Sequence, residues 1–385
     1  MGIFWTVIIF FLVLGVLVIV HEFGHFITAR RAGVKVDEFG FGLPPRAIGA
    51  YRDETNHWRL VGLKTKQTAK TIWSLNWIPL GGFVRIKGEQ GEEATDPDSF
   101  AHKSVGKRIW IISAGVLMNI ILAAVLLTVG FIVGVPQIVT DQALPALARV
   151  SAARIQVAQV LPDSPADAAA IEIADTIFAI NGQTFSQINE VQEFVAAHAG
   201  QDLTIELERD GEAISVVLRP AGIADLDGQA GMGVALVQTA TVSFPWYVAG
   251  YYGVVETGKI IAGIFIGFYL IIQSLVVEGQ LIGEVYGPVG IATLVGDAAS
   301  LGFIYVLQLT AILSIIIAVI NYLPFPALDG GRVLFLIIEA VRGRPVNQRF
   351  ENATHNIGFG LLLLLILLVT YRDIVRITGG FFGVF

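Results

Sequence analysis

The first thirty residues decide the fold class, because a long apolar run ends there in a polar motif: residues 3–25 are IFWTVIIFFLVLGVLVIVHEFGH. A run of roughly 20 apolar residues is long enough to cross a bilayer as a helix. Arg30 and Arg31 follow this run and end it. The N-terminus lacks the basic start and the small-residue cleavage site of a secretory signal peptide. We therefore expect a first transmembrane helix, together with the polar motif, within residues 1–34.

The composition of the whole chain indicates an integral membrane protein. Its 385 residues are 54 % hydrophobic and 15 % charged, and the mean hydropathy is +0.69. Soluble domains contain about 25 % charged residues, and disordered chains are far less apolar. The absence of cysteine excludes disulfides, thiolate zinc sites and cysteine nucleophiles. No lysine or arginine run is long enough to indicate nucleic-acid binding, so we expect no nucleic-acid partner.

Further apolar runs predict a polytopic α-helical membrane protein with about four transmembrane helices. The second, third and fourth helices fall within residues 108–135, 301–323 and 356–371. Residues 244–300 are also apolar, but they contain charged side chains and frequent glycines. We interpret this part as a membrane-associated amphipathic segment, and a fifth span within it stays open.

Basic residues predict the orientation, because lysine and arginine accumulate in cytoplasmic loops. Residues 30–108 contain fourteen lysines and arginines, whereas residues 135–258 contain four. We therefore expect residues 35–107 and 324–355 on the cytoplasmic side of the membrane and residues 136–243 outside the cytoplasm.

Residues 136–243 have the pattern of a small inserted α+β domain. Residues 204–208 and 214–218 alternate between apolar and polar side chains, as half-buried strands do. Asp210 and Gly211 lie between them and form a common hairpin turn sequence. On the cytoplasmic side, residues 73–86 are unusually hydrophobic around a glycine pair, and they predict a membrane-associated β-hairpin.

The motif His21-Glu22-Phe23-Gly24-His25 carries the chemistry. On a helix, positions i and i+4 share a face, so both imidazoles can bind one zinc ion while the glutamate reaches the water bound to it. Zinc lowers the pKa of that water to about 7, and a neighbouring carboxylate can then accept its proton. Two histidines and a glutamate at the end of an apolar helix would be costly without such a role.

A second motif offers the third zinc ligand, because catalytic zinc usually has three protein ligands and an open position. Residues 321–332 are NYLPFPALDGGR, in which two prolines and two glycines interrupt an apolar helix. Irregular backbone at membrane depth is tolerated only where it lines a protein cavity. Asp329 is the carboxylate of this break; its alternative role is to cap a helix that begins near Gly331. The other histidines are expected at the surface: His57, His102, His198 and His355.

These motifs resemble the site-2 protease family of intramembrane metalloproteases, and among them the bacterial RseP-like group. The resemblance rests on His21–His25, the following Ala29–Val34, and Asn321–Gly331. Shorter stretches add to it: Phe39–Pro44, Ile78–Val84, Gly115–Asn119 and Gly287–Gly290. Residues 153–239 resemble a PDZ domain, of which this chain has one copy.

The resemblance implies the roles of the site residues. His21, His25 and Asp329 would bind Zn2+, and Glu22 would act as the general base. Asn321 would orient the substrate backbone. The remaining substrate-binding candidates lie in the hydrophobic strand segment, where a substrate could pair as an added strand: Gly81, Gly82, Phe83 and Val84.

The resemblance also implies the partners and the location. The substrates would be single-span membrane proteins, such as anti-sigma-factor-like regulators or remnant signal peptides, cleaved within or near the lipid bilayer. The location would be a bacterial inner membrane, with the active site toward the cytoplasm and a PDZ groove outside that could bind a C-terminal peptide. A catalytically inactive PDZ-bearing scaffold with a metal site is the first alternative. A metal transporter and a non-haem iron site are further alternatives.

Overall fold

The computed structural model describes residues 2–63, 70–91, 93–138, 147–151, 153–209, 211–222, 230–277, 279 and 285–377. The helices in chain order are α1 (Ile3–Arg31), α2 (Val105–Val133), α3 (Pro165–Ala168), α4 (Ile188–Ala197), α5 (Trp246–Val277), α6 (Pro288–Leu301), α7 (Phe303–Asn321), α8 (Asp329–Arg342) and α9 (Gln348–Ile377). The strands are β1 (Val36–Arg52), β2 (Trp58–Val61), β3 (Ile72–Ile86), β4 (Val135–Ile138), β5 (Arg149–Val150), β6 (Arg154–Val160), β7 (Thr176–Ile180), β8 (Leu203–Arg209), β9 (Glu212–Leu218), β10 (Ala221–Gly222), β11 (Ala230–Gly231) and β12 (Val234–Ser243).

The chain divides into two compact units. The first consists of Met1–Leu127 and Gly253–Phe385, and the second is Thr128–Tyr252. Among the described residues, five helices are long and apolar enough to cross a membrane, namely α1, α2, α5, α7 and α9. The chain is therefore a multi-pass membrane protein with an inserted α+β domain, as the sequence predicts.

Two boundaries of the predicted helices need correction. The amphipathic interpretation of residues 244–300 is wrong for its first half, because α5 is a continuous apolar helix of 32 residues. Its two charged side chains neutralise each other one turn apart, with Nζ of Lys259 3.1 Å from Oε2 of Glu256. The last helix begins at Gln348 rather than near residue 356, so it includes the end of the expected loop 324–355.

The sheet of the first unit has the order β2-β1-β3. Residues 82–86 of β3 pair with residues 36–41 of β1, and residues 73–76 of β3 pair with residues 46–50 of β1. The chain reverses between these two arms, as the glycine pair predicts, because residues 72–75 run in the same direction as residues 38–41 of β1 and residues 82–86 run in the opposite direction. The two arms do not pair with each other among the described residues; residues 36–41 of β1 lie between them. Among the described residues, 82–86 pair only with β1, so this end of β3 is an edge of the sheet.

The helices of the first unit pack closely around the end of α1. Phe26 and Ala29 of α1 share a core with Ile111 of α2 and Val333 of α8. A Cβ on Gly24 would lie 2.3 Å from the carbonyl oxygen of Ala114. Only glycine at this position lets α1 approach the backbone of α2, and this approach fixes α2 beside the polar motif.

The second unit is the inserted domain. Its sheet has the order β4-β12-β6-β7-β8-β9, with β5 also paired to β12, and all these pairs are antiparallel. Val191 of α4 packs with Val157, Leu203 and Ile205 of the sheet in the core. β8 and β9 form the predicted hairpin with Arg209 opposite Glu212, although Asp210 itself lies outside the described residues.

A buried ion pair ties two strands of this domain together. Nη2 of Arg209 lies 2.7 Å from Oδ2 of Asp175, whose side chain is fully buried. The same guanidinium donates to Oε1 of Glu172 and to the carbonyl oxygen of Ala170, at 2.7 and 2.8 Å. Removing one partner of a buried pair leaves an uncompensated charge, which is strongly destabilising.

We expect Arg209→Met to destabilise the inserted domain by about 3–5 kcal/mol, because the Asp175 carboxylate is left buried and unpaired. Hydrogen exchange of the full chain should then show amide protection in β7 and β8 lowered by roughly a hundredfold or more. The matched control is Arg154→Met, which removes an exposed pair with Glu208 at 3.3 Å and is worth at most about 1 kcal/mol. Equal loss of protection in both variants would contradict the role of the buried pair.

Candidate metal centre

Three donor atoms converge where α1 meets the start of α8. Nε2 of His21 lies 3.0 Å from Oδ2 of Asp329, and Nε2 of His25 lies 3.4 Å from the same oxygen. The two Nε2 atoms are 3.1 Å apart. Among the described residues, this is the one group of at least three such side chains whose donor atoms converge closely enough to hold a metal ion. The structure thus brings together the three residues that the sequence predicts as ligands.

The spacing of these donors fits a small tetrahedral ion. Zinc bonds of about 2.0–2.1 Å at tetrahedral angles place neighbouring donors about 3.3 Å apart. The three observed separations of 3.0, 3.1 and 3.4 Å agree with this value. Two imidazoles and a carboxylate leave a fourth position open, as catalytic zinc sites do.

The neighbouring helix α2 orients both imidazole rings. Nδ1 of His25 lies 2.9 Å from the carbonyl oxygen of Ile111, so Nδ1–H donates there and Nε2 is left with its lone pair toward the cluster. Nδ2 of the fully buried Asn119 lies 3.4 Å from Nδ1 of His21. Ser314 of α7 in turn donates to the carbonyl oxygen of Asn119 at 2.8 Å. The ring orientations are therefore fixed by groups outside α1.

Gly115 provides the space for the donors. A Cβ at this position would lie 2.4 Å from Nε2 of His25 and 2.8 Å from Nε2 of His21. Those distances are shorter than any real contact, so a side chain here would displace the rings. The sequence analysis gave Gly115 no role of its own; the signal was a glycine, without turn residues around it, inside an apolar helix.

The helix break positions Asp329 through backbone contacts. A Cβ on Gly330 would lie 2.2 Å from the carbonyl oxygen of Leu323, and one on Gly331 would lie 2.3 Å from that of Phe325. The helix α8 begins at Asp329 itself, and Leu328 occupies the N-cap position, so Asp329 does not cap a helix that begins near Gly331.

His355 has a structural role that the sequence did not predict. The amide of Ala327 donates to its Nδ1 at 2.8 Å, so α9 holds the break from the other side. Another contact lies one turn beyond Asp329, where Arg332 forms an ion pair with Glu89. The carboxylate of Glu89 raises the pKa of Arg332 above its usual value, which keeps a positive charge at the start of α8.

Glu22 lies against the sheet as well as near the cluster of donor atoms. A Cβ on Gly82 would lie 3.5 Å from Cγ of Glu22 and 3.3 Å from Cγ1 of Val18, so the edge segment of β3 runs along this face of α1. Glu22 is also near enough to His21 and His25 for electrostatic interaction. The general-base candidate therefore lies between the donors and the sheet edge.

The predicted substrate-binding residues separate into two groups. Gly81 and Gly82 lie beside α1, and Phe83 and Val84 continue the same edge segment. Asn321 is the last residue of α7. Among the described residues, no hydrogen bond joins its side chain to the three donors, so the structure does not bring it into the cluster.

The chain matches the model of one protein family, Peptidase family M50, over residues 9–365. A curated relative from Clostridium acetobutylicum is 32 % identical over 373 residues, covering 97 % of this chain and 98 % of the relative. A protein named zinc metalloprotease RasP from Oceanobacillus iheyensis is 30 % identical, with 97 % and 99 % covered. A second protein of that name, from Geobacillus kaustophilus, is 29 % identical, with 96 % and 98 % covered.

Two similar solved structures are PDZ domains that cover about a fifth of this chain. The PDZ domain of an SdrC-like protein from Listeria innocua is 23 % identical, covering 22 % of this chain and 92 % of that chain, with a TM-score of 0.20. The corresponding domain from Listeria monocytogenes has 22 % identity and the same TM-score.

The family match spans most of the chain, including both motifs that supply the donor atoms. The relatives align along nearly their whole length as well. The resemblance inferred from the sequence is thereby confirmed: this chain belongs to peptidase family M50, the site-2 proteases.

Proposed function

We propose that the protein is a zinc-dependent intramembrane endopeptidase that cleaves transmembrane segments of single-span membrane proteins. The observation that carries this proposal is the convergence of His21, His25 and Asp329 beside Glu22 at the end of an apolar helix. Zinc is the cofactor that the family and the names of the relatives indicate. The substrates proposed are regulators of the anti-sigma-factor type or remnant signal peptides.

The chemistry divides between the metal and the chain. His21, His25 and Asp329 would hold a zinc ion, which would supply a bound water with a pKa of about 7 and a Lewis acid for a carbonyl oxygen. Glu22 accepts the proton from the attacking water and can return it to the leaving amine, because it lies next to the ligands without being one of them. The Ile111 carbonyl keeps His25 in the tautomer that can bind metal.

The sheet edge offers hydrogen-bonding partners for the backbone of an unwound substrate segment. A helix in the bilayer hydrogen-bonds all its backbone groups internally, so its amides are not open to attack. Residues 82–86 offer unpaired backbone groups beside Glu22, and an unwound substrate segment can add there as a strand. In this proposal Gly81, Gly82, Phe83 and Val84 bind the substrate backbone.

The orientation and the role of the inserted domain complete the proposal. The distribution of basic residues supports an active site toward the cytoplasm of a bacterial inner membrane. The inserted domain then lies outside, where it would select substrates by binding a C-terminal peptide. An inactive scaffold is disfavoured by Glu22, because a purely structural metal site has no use for a base beside an open position.

Two measurements, the cleavage rate and the zinc content, should distinguish the general base from the metal ligands. We expect Glu22→Gln to lower the rate of cleavage of a single-span substrate in proteoliposomes by roughly 10²-fold or more, since general-base catalysis contributes about this much. Its zinc content, measured by mass spectrometry of the metal, should stay that of the parent. His21→Ala, His25→Ala and Asp329→Ala should lose zinc, whereas the exposed His102→Ala should keep it. An active Glu22→Gln enzyme would overturn the mechanism.

Gly115→Ala tests the space around the ligands. The added methyl group would overlap Nε2 of both histidines, so we expect zinc retention to fall at least tenfold, a typical result of disturbing groups that orient metal ligands. Gly106→Ala is the matched control, because it lies in the same helix with nothing within 4 Å of the added Cβ. If both variants retain zinc equally, the donors do not occupy the positions described.

Photocrosslinking tests the sheet edge. Benzoylphenylalanine at position 83, in the Glu22→Gln background, should crosslink to a bound substrate segment because this residue lies on the open edge. The same probe at position 58 lies on β2, at the opposite edge of the sheet, and should not. Equal crosslinking at both positions would show that the substrate does not add to β3.

A further inference from the structure

One face of the sheet changes from basic to apolar over two residues. Side chains at alternate positions of a strand share a face. Arg52 pairs with Trp58, and the next pairs along the same face are Ala50 with Leu60 and Ala50 with Trp73. Beyond them, Ile48 pairs with Leu75. This face, which we call the graded face, is therefore charged at one end and hydrocarbon-like at the other.

A cavity of about 570 Å³ lies at the charged end of the graded face. Its basic side chains come from the end of α1 and from the sheet, namely Arg30, Lys35, Arg52 and Lys70. Asp98 is the one carboxylate among the residues that line it, against these four basic side chains, of which Lys35 also pairs with Asp37 at 3.4 Å. The cavity therefore has a net positive charge.

The two arginines are held by aromatic rings and not by carboxylates. The guanidinium of Arg52 lies 5.1 Å from the ring centre of Trp58, and that of Arg30 lies 5.6 Å from the ring centre of Phe26. Among the described residues, neither arginine forms an ion pair. Their charges are available to an anionic ligand, and arginine is well suited to bind phosphate.

An apolar groove of about 390 Å³ continues from this cavity, and the two share Trp73. Ile48, Leu60 and Leu75 of the graded face line it together with Ile19 of α1. These side chains are unusually exposed, with Leu60 at 76 % and Leu75 at 50 % of their full accessible area. Such a surface is unfavourable in water and favourable against hydrocarbon.

The charged end of the graded face lies toward the membrane surface, and its apolar end lies toward the hydrocarbon core. Arg30 lies in the last turn of α1, and Ile19 lies eleven residues earlier, which is about 16 Å along a helix. The hydrocarbon core of one leaflet is about 15 Å thick. The charged cavity thus sits at the level where α1 leaves the apolar region, and the groove extends into that region. Trp73 lines both the cavity and the groove, and Trp58 lines the cavity; tryptophan is enriched at the interface between membrane and water.

We propose that the graded face binds one anionic glycerophospholipid, with its phosphate in the basic cavity and an acyl chain along the apolar groove. The charge of the cavity selects the headgroup, and the groove requires that the phosphate belong to a lipid. The bound lipid would hold β1 and β2 at the membrane surface. This inference is independent of the peptidase activity, because none of its residues binds the metal or belongs to the sheet edge.

The test measures lipid binding to the full chain in detergent by native mass spectrometry. We expect phosphatidylglycerol to bind more tightly than phosphatidylcholine with the same acyl chains, and Arg30 and Arg52 together to supply roughly 25-fold of this preference, since each basic residue near a membrane surface contributes about fivefold. Arg30→Gln with Arg52→Gln should lower the preference by that factor. The matched control is Arg31→Gln with Arg59→Gln, which removes the same charge from neighbouring positions outside the cavity and should keep it.

Further arms separate the lipid from other sources of phosphate. Inorganic phosphate and glycerophosphoglycerol should not displace phosphatidylglycerol at millimolar concentration, and Ile48→Asn with Leu75→Asn should weaken binding of both lipids. Displacement by the soluble phosphates, or equal loss of preference in the two arginine pairs, would overturn the proposal. Arg30→Lys with Arg52→Lys should retain the preference, which shows that a loss in the glutamine variant reflects charge and not misfolding.

Discussion

The whole first unit depends on bringing three polar donors together at the end of an apolar helix. Histidine and carboxylate side chains at membrane depth are unfavourable unless they satisfy one another. Here His21 and His25 supply two nitrogens from one face of α1, and Asp329 supplies an oxygen from a separate helix. The carboxylate can reach them only if the chain between α7 and α8 turns sharply inside the protein. The break at residues 321–329 is thus a requirement of the site.

Glycine makes this convergence sterically possible. Gly24 brings α1 onto the backbone of α2, Gly115 leaves room for the imidazoles, and the Gly330–Gly331 pair lets α8 begin against the carbonyl groups that precede it. At each of these positions a methyl group would meet backbone or a metal-binding nitrogen at less than 3 Å. Helix propensity favours alanine over glycine by about 1 kcal/mol. The glycines are therefore explained by close packing at the site.

The sequence predicted the class of fold and the three residues that converge, His21, His25 and Asp329, but not every element that surrounds them. The i, i+4 spacing of the histidines and the helix-breaking residues around Asp329 are local patterns, so they were readable from the chain alone. The span α5 was underestimated because Glu256 and Lys259 reduce its apparent hydropathy, whereas in the structure they form a pair one turn apart. Gly81 and Gly82 suggested a turn, and the chain does reverse there; Gly82 in addition permits close approach of β3 to α1, which the sequence did not predict. The role of His355 depends on a contact 28 residues away in the chain, which no local pattern reveals.

The same sheet carries the graded face and the open edge, and its pairing links them. Residues 39–41 of β1 pair with both halves of β3, that is, with residues 73–75 of the graded face and with residues 82–84 of the open edge. A contact that fixes residues 73–75 also restricts the position of residues 82–84, because both segments are paired to residues 39–41 and each backbone hydrogen bond limits the register of the next. A lipid bound at residues 48–52 would therefore favour one position of the edge beside Glu22. The two arms of β3 reverse direction around Gly81, and residues 36–41 of β1 lie between them, so this shared strand joins the graded face to the proposed substrate edge.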